Sequence, residues 1–186
     1  APAPNSIKDI VFVVVTHLPD NHEYHKDRQE VIATCLQTMR DNAHRDHTLI
    51  VWDNGSHPDY VRWIQNVIHP DILIQSINIG KTAARTSAIQ MLPLSSTVCY
   101  SDDDILYSDN WLQPQLDLLN SFPNVSVVSG YPVRTMFRWG NVNTLEWARK
   151  NAKLEQGRFI SREDENDYAV SIGRDPNEHT EKTVKD

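Results

Sequence analysis

Several features that mark specialised protein classes are scarce in this sequence. Its 186 residues include two cysteines, six glycines and ten prolines, too few for a disulfide framework, a collagen-like repeat or a low-complexity chain. No apolar run approaches the roughly 18 residues of a membrane span. A basic excess is also missing, since the net charge is −7, whereas nucleic-acid-binding proteins usually present a basic face. We therefore expect neither a transmembrane segment nor a nucleic-acid partner.

The two cysteines, Cys35 and Cys99, lie among apolar neighbours. This setting predicts two reduced cysteines in the core. The first four residues, Ala-Pro-Ala-Pro, are not followed by the basic region and apolar stretch of a signal peptide. A reducing, cytoplasmic setting is the expectation from these features.

Length and composition indicate a single folded domain. Hydrophobic residues make up 39% of the chain and charged residues 23%, a mixture that excludes a disordered chain. Residues 1–140 carry the regular patterns of an α/β core. Residues 141–186 hold 18 of the 43 charged residues, and we expect them to belong to the same domain, in a minimal or truncated version of it.

Short apolar runs rich in β-branched residues alternate with stretches of helical spacing. The predicted strands are residues 10–15, 49–52, 72–74, 98–100 and 125–128. The predicted helices are residues 26–42, 58–68, 82–91 and 108–120. Strands that alternate with helices of this length pair in parallel through right-handed crossovers. The pattern therefore predicts a doubly wound α/β sheet.

Polar residues follow three of the predicted strands directly. They are Thr16, Asp53 and the run Asp102–Asp104. Parallel strands bring their carboxyl ends to one edge of the sheet, and ligands of open α/β sheets bind beyond that edge. We expect the three strand ends to lie together there.

The triple aspartate is the sharpest of these features. Adjacent carboxylates repel one another unless a positive charge offsets them, and Mg²⁺ or Mn²⁺ often takes one or two carboxylates plus substrate phosphates. In an extended segment residues i and i+2 point the same way, so Asp102 and Asp104 are predicted to face one site. The alternative is a solvated acidic turn that favours the start of the next helix.

Other polar residues leave two interpretations open. Asp53 can accept hydrogen bonds from a nucleobase edge, or it can form a simple Asx turn. Gly80 begins a helix whose free N–H groups favour an anion, helped by Lys81 and Arg85, or form an ordinary helix start. The late cluster at residues 163–167 can supply a general base or a solvated charged face.

Five segments in this order resemble glycosyltransferase family 2. They are Ile10–Thr16, Val51–Ser56, Asn78–Gly80 with Ala84-Arg85, Tyr100–Asp104 and Glu163–Glu165. The resemblance covers about residues 8–175. It implies a GT-A fold, which is a Rossmann-like, three-layer α/β/α arrangement with a mostly parallel central sheet.

The resemblance also implies roles for the nucleotide-binding residues. Thr16 and Asp53 match positions that hold the nucleobase, and Arg85 matches an arginine near the nucleotide. Asp102 matches an aspartate that contacts the ribose or the metal, and Asp103 is counted with the residues that bind the nucleotide sugar.

For the chemistry, the resemblance makes Asp104 the metal-binding aspartate and Asp164 the base of inverting members. The expected activity is transfer of a sugar from a UDP- or GDP-linked donor to an acceptor hydroxyl, with Mn²⁺ or Mg²⁺ and with inversion. Two alternatives stay open. One is a catalytically degenerate domain of the same fold that binds a nucleotide or a protein partner. The other is a nucleotidyltransferase, although the glycine-rich loop expected after the first strand is missing.

Overall fold

A computed structural model describes residues 7–20, 25, 27–129, 142–151, 153, 161–171 and 173–177. The chain divides into two compact units, Ala1–Gly130 and Tyr131–Asp186. The domain boundary predicted near residue 140 falls outside the described residues. Among the helices of the described part, none is long and apolar enough to cross a membrane.

The first unit alternates strands with helices, as the sequence pattern predicts. Its strands are β1 (Ile10–Thr16), β2 (Thr48–Asn54), β3 (Ile72–Ser76) and β4 (Thr97–Ser101). Its helices are α1 (Arg28–Asp41), α2 (Pro58–Trp63), which continues as a π-helical turn (Ile64–Ile68), α3 (Lys81–Gln90) and α4 (Leu112–Ser121). Pro58 opens α2, where its fixed φ suits the first turn and its missing N–H costs nothing.

The strands form a parallel sheet in the order β3-β2-β1-β4. β1 is therefore paired on both sides, and six of its seven residues are buried. All seven residues of β2 are buried as well. Strands covered on both faces read as continuous apolar runs, which is why these two were visible in the sequence.

Helices cover both faces of the sheet and so make three layers. On one face, Phe12 and Val14 of β1 pack with residues of α1, α2 and α4, among them Leu36 and Leu112. On the other face, alternate β1 residues pack against α3, which presents the small side chains of Ala84 and Ala88. The α/β fold with a parallel central sheet is confirmed. Both cysteines are free thiols, Cys35 buried and Cys99 partly buried.

The fifth predicted strand, at residues 125–128, is wrong. Residues 125–129 have no regular structure, and Val127 is 70% exposed. A strand needs a neighbour for its backbone hydrogen bonds, and among the described residues β4 pairs with β1 alone. The β-branched residues of this segment favour an extended backbone, but they do not show whether a neighbouring strand is present to pair with it.

The second unit contains α5 (Val142–Asn151) and α6 (Arg162–Ser171). Three acidic residues occupy the first turn of α6, where the positive end of the helix dipole favours them. After α6, Gly173 adopts a left-handed φ of 69°, and the Arg174 N–H donates to the Ala169 carbonyl at 2.8 Å. This hydrogen bond closes the end of the helix in the usual left-handed manner.

Candidate functional site

The carboxyl ends of β1, β2 and β4 lie at the same edge of the sheet. Thr16, the last residue of β1, is level with Asp53 of β2. Val14 is level with Ser101, the last residue of β4. Asp103, two residues farther along, lies beside Thr16, to which it is hydrogen-bonded. The three polar strand ends are thus side by side, as expected.

A chain of hydrogen bonds joins four side chains at this edge. Thr16 Oγ1 donates to Asp103 Oδ2 at 2.9 Å and lies 2.7 Å from the Tyr60 hydroxyl. Arg28 Nη2 donates to Asp103 Oδ1 at 2.6 Å. A threonine hydroxyl has one proton, and here it goes to the carboxylate, so Tyr60 is the donor to Thr16. Thr16, Tyr60 and Asp103 are buried, and they satisfy one another.

Burial and charge fix the protonation states of this chain. Burial raises the pKa of the Tyr60 phenol, because the charged form is poorly solvated there. Burial opposes the charge on Arg28, but the hydrogen bond and charge of Asp103, with the charge of Asp104, outweigh it and raise the pKa of the guanidinium. Tyr60 is therefore a neutral donor and Arg28 a permanent cation.

Asp53 lies in a tight turn at the end of β2. Its Oδ1 accepts the Ser56 N–H at 3.2 Å, and the residue is only 3% exposed. Gly55 adopts a φ of 83°, and a Cβ atom there would lie 2.6 Å from the Asn78 backbone nitrogen. The Asp53 carboxylate therefore closes this turn, which is pressed against the loop after β3.

Two asparagines connect this turn to the start of α3. Asn54 Oδ1 accepts the Ile79 N–H at 3.0 Å, and Asn54 Nδ2 donates to Asn78 Oδ1 at 3.2 Å. Asn78 Oδ1 also accepts the Gly80 N–H at 3.0 Å. α3 begins at the next residue, Lys81. The asparagines therefore bring the N-terminus of α3 to the edge that carries Asp53.

Asp102 is paired with two cations from α3. Lys81 Nζ lies 2.6 Å and Arg85 Nη2 2.9 Å from the same oxygen, Asp102 Oδ1. The Arg85 guanidinium also lies over the Tyr100 ring, 4.7 Å from its centroid. The hydrogen bond from Lys81 lowers the pKa of Asp102 and, with the charges of both cations, outweighs the opposing effect of burial. Asp102 is thus held as a carboxylate.

Asp104 has a different environment. Its side chain is 52% exposed, and its Oδ2 lies 3.7 Å from Arg28 Nη1. The partners of Asp102 come from α3 and that of Asp104 from α1, on opposite faces of the sheet. β4 ends at Ser101, and residues 103–104 form a bend. The extended geometry behind the i and i+2 argument does not continue there, so a common site for Asp102 and Asp104 stays a prediction.

Cations of the chain itself offset the triple aspartate. Arg28, Lys81 and Arg85 each lie within 4 Å of one of the three carboxylates. Repulsion among the aspartates is therefore relieved without any added ion. What favours a divalent cation here is instead the exposed carboxylate of Asp104.

The donor set fits a divalent cation shared with a substrate. In the described part of the chain, no group of three or more His, Cys, Asp or Glu residues is arranged to hold a metal. Mg²⁺ and Mn²⁺ do not need such a cage, since they bind through one or two carboxylates and substrate phosphates. Asp104 offers an exposed carboxylate of this kind.

Comparison with known families agrees with the geometry. The sequence model of a family described as "Glycosyl transferase family 2" matches residues 24–175, which is most of the chain. The chain belongs to glycosyltransferase family 2. Enzymes of this family use a nucleotide-sugar donor and an acceptor. A search among curated proteins gave no match.

The glycosyltransferase match includes most of the candidate residues. It spans Asp53, Arg85, the Asp102–Asp104 run and Asp164, whereas Thr16 lies before it. Thr16 is nevertheless in contact with the matched part, through its hydrogen bond to Asp103. The buried chain of side chains thus connects β1 to the region that defines the family.

Asp164 lies in the second unit, in the first turn of α6. Its N–H donates to Ser161 Oγ at 3.1 Å, and the Ser161 hydroxyl donates to Asp164 Oδ2 at 2.6 Å. Ser161 thus caps the helix by accepting an N–H of its first turn, and its hydroxyl proton goes to the Asp164 carboxylate. Asp164 is exposed. A structural role is therefore present, and its role as a base stays a prediction.

Sequence reasoning missed two residues of this edge, Arg28 and Tyr60. Arg28 is a cation in the first turn of α1, where the helix dipole disfavours one. That placement could have indicated a nearby anion. Tyr60 precedes Ile64 by four residues and so belongs to the buried stripe of α2. Its hydroxyl could have indicated a buried polar partner.

Proposed function

We propose that this glycosyltransferase transfers a sugar from a UDP- or GDP-linked donor to an acceptor hydroxyl, with Mn²⁺ or Mg²⁺ and with inversion at the anomeric carbon. The observation that carries the proposal is the juxtaposition of the Asp102–Asp104 run with Asp53 at one sheet edge, in a chain of this family. In this proposal the base, the ribose and the diphosphate bind at different positions along this edge.

For the donor, we assign the nucleobase to the β2 end and the ribose to the β4 end. Asp53 accepts from the base edge, and Asp102 contacts the ribose or the cation. Arg85 lies beside Asp102 and supplies positive charge to the nucleotide. Thr16 and Asp103 are buried and bonded to each other, which favours a part in forming the wall of this nucleotide site.

For the cation, we assign Asp104, with Asp102 as the second carboxylate. The support is the exposure of Asp104 and the oxygen-ligand preference of Mn²⁺ and Mg²⁺. When bound, the cation neutralises charge that develops on the departing diphosphate. Lys81 and Arg85 hold Asp102 in its charged form, which is the form that binds a cation.

For the acceptor, we assign Asp164 as the general base. In this role its carboxylate removes the proton of the acceptor hydroxyl as that oxygen attacks the anomeric carbon. The attack comes from the side opposite the diphosphate, which breaks the bond to the leaving group and inverts the centre. The hydrogen bond from Ser161 keeps one carboxylate oxygen occupied and leaves the other for the proton.

Two substitutions test the proposal. Asp104→Ala is expected to abolish Mn²⁺-dependent hydrolysis or transfer of UDP- and GDP-sugars, because the exposed ligand is lost. Asp164→Asn is expected to keep donor affinity by calorimetry while transfer falls about 100-fold or more, the usual contribution of a general base. Asp117→Asn, an exposed carboxylate on α4, is the matched control and is expected to behave as the parent chain.

Contrary outcomes are specific. Full transfer by Asp164→Asn would place the base elsewhere, and Mn²⁺-independent turnover would remove the metal assignment. A non-catalytic nucleotide-binding domain is the second candidate, and the capping contact between Ser161 and Asp164 favours it. Tight binding of UDP or GDP without any donor turnover would support that candidate.

A further inference from the structure

Helix α1 contacts the backbone of the loop that follows β4 at successive positions. Cys35 Sγ donates to the Asp102 carbonyl at 3.6 Å, within the range for sulfur. Thr38 Oγ1 accepts the Tyr107 N–H at 3.3 Å. Asn42 Nδ2 donates to the Tyr107 carbonyl at 2.7 Å. Two side chains of α1 and that of Asn42, directly after the helix, thus bind both ends of a six-residue stretch that carries the triple aspartate.

The spacing of these side chains puts them on one face of α1. Cys35, Thr38 and Asn42 stand at i, i+3 and i+7, the positions that align along a helix. Cys35, at the first of these positions, contacts the backbone directly before Asp103.

The loop itself supplies few of its own backbone partners. Residues 102–111 contain no strand and no helix, so their N–H and C=O groups are outside any ladder. Backbone polar groups that leave water need partners, and α1 together with Asn42 provides them for Asp102 and Tyr107. The path of the loop is therefore determined by α1 as well as by the end of β4.

We propose that Cys35, Thr38 and Asn42 are positioning residues for the transfer reaction. They hold the backbone of residues 102–107 so that the Asp104 carboxylate meets the divalent cation and the diphosphate. This inference rests on the function proposed above. The three residues act through the loop and not by touching the donor. Groups that orient metal ligands in this indirect way typically change metal affinity or activity about 10- to 100-fold when removed.

The test compares Asn42→Ala and Cys35→Ala with the conservative Cys35→Ser. In ligand-free protein, amide hydrogen exchange at Tyr107, whose N–H donates to Thr38 Oγ1, is expected to accelerate in the two alanine variants. The Mn²⁺ concentration for half-maximal binding of UDP or GDP is expected to rise about 10-fold. Affinity for uridine or guanosine, which carry no phosphate, is expected to stay unchanged.

Two further variants complete the design. Cys35→Ser keeps a donor and acceptor at this position and is expected to restore most of the Mn²⁺ affinity. Gln37→Ala, on an exposed position of the same helix, is expected to match the parent chain in every measurement. Thr38→Val, which keeps the side-chain shape, decides the question if Asn42→Ala does not fold.

The outcomes separate this inference from the proposed function. If the parent chain binds UDP or GDP with Mn²⁺ and the alanine variants bind with the same Mn²⁺ dependence, only the positioning role is overturned. A lower melting temperature with unchanged Mn²⁺ dependence also overturns it, because that result reports a structural role alone. If the parent chain binds neither nucleotide, the proposed function falls and this inference falls with it.

Discussion

At the scale of single residues, the hydroxyl of Thr16 is hydrogen-bonded to two other buried side chains. It accepts from Tyr60 and donates to Asp103, and Asp103 in turn receives Arg28. Leaving a buried donor or acceptor without a partner costs more than the hydrogen bond itself contributed. Loss of this one oxygen would take a partner from polar groups on two elements, Tyr60 of α2 and Asp103 of the loop after β4, and Asp103 would keep only its bond from Arg28.

Thr16→Val therefore is expected to lower the free energy of unfolding by about 1–3 kcal/mol, because Tyr60 and Asp103 both lose a partner. Urea denaturation measures the change. Thr48→Val is the matched control, since Thr48 is also a buried strand threonine but accepts a single bond, from the Lys8 N–H. Equal losses for the two variants would show that the network at Thr16 adds nothing, and Thr16→Ser should recover most of the stability.

At the scale of elements, the turn after β2 and the loop after β3 fit together backbone to backbone. Gly55 makes this possible in two ways, by its positive φ and by the space that a side chain would occupy. Gly80, at the start of α3, has a similar φ of 86° but nothing within 4 Å of the position of a Cβ atom. A comparison of substitutions at the two glycines therefore separates the cost of backbone strain from the cost of a steric clash.

Gly80→Ala is expected to cost about 1–3 kcal/mol from backbone strain alone. Gly55→Ala is expected to cost more, since the added methyl would collide with the Asn78 backbone as well. Chemical denaturation of the two variants side by side measures the difference. A Gly55→Ala loss no greater than that of Gly80→Ala would mean that the loop after β3 moves aside freely.

The elements themselves were largely predictable, and the exceptions have physical reasons. β1 and β2 are buried on both faces, and their β-branched runs identified them within one or two residues. The π-helical turn at Ile64–Ile68 was invisible, because its apolar spacing resembles that of an α-helix. The cap of α2 is likewise not evident from the sequence, because it is a histidine: His57 Nδ1 accepts the Asp59 N–H.

At the scale of the whole molecule, the parallel direction of the strands followed from connectivity, and the side-chain contacts did not. Parallel crossovers bring the ends of β1, β2 and β4 to one edge, so the grouping of Thr16, Asp53 and Asp103 could be predicted. The partners of Asp102 and Asp104 could not, because they depend on which helix passes each carboxylate. Pairing of Arg28 with Asp103 joins positions 75 residues apart, and local patterns do not report such contacts.

Two thiols make the stability of the folded chain depend on pH in the alkaline range. They belong to Cys35, which is buried, and to Cys99, which is partly buried. Burial raises the pKa of Cys35 and of Cys99 from 9.0 to about 11. Between these values the folded chain keeps protons that the unfolded chain releases, so stability falls as pH rises. The contribution of the two protonated thiols to stability is fully present below about pH 9 and is lost as the pH rises through about 11.

The urea midpoint is therefore expected to decrease from about pH 8 to about pH 10.5. The double variant Cys35→Ala with Cys99→Ala is expected to have a lower midpoint at about pH 8 but a shallower decrease. A decrease as steep as that of the parent chain would assign the effect to other groups. Tyr107, whose pKa burial raises to about 12, contributes in the same direction at the upper end of the range.

The pairing of the three aspartates with Arg28, Lys81 and Arg85 also affects how a ligand arrives. The chain as a whole has a net charge of −7 and repels anions at long range. Mobile ions screen that field beyond about 8 Å at physiological ionic strength. The three aspartates and their three cations sum to zero, so the aspartate run itself adds nothing to the repulsion of an incoming diphosphate. A ligand that arrives here is therefore not guided by these side chains as by a strongly charged cleft, whose steering effect falls steeply with added salt.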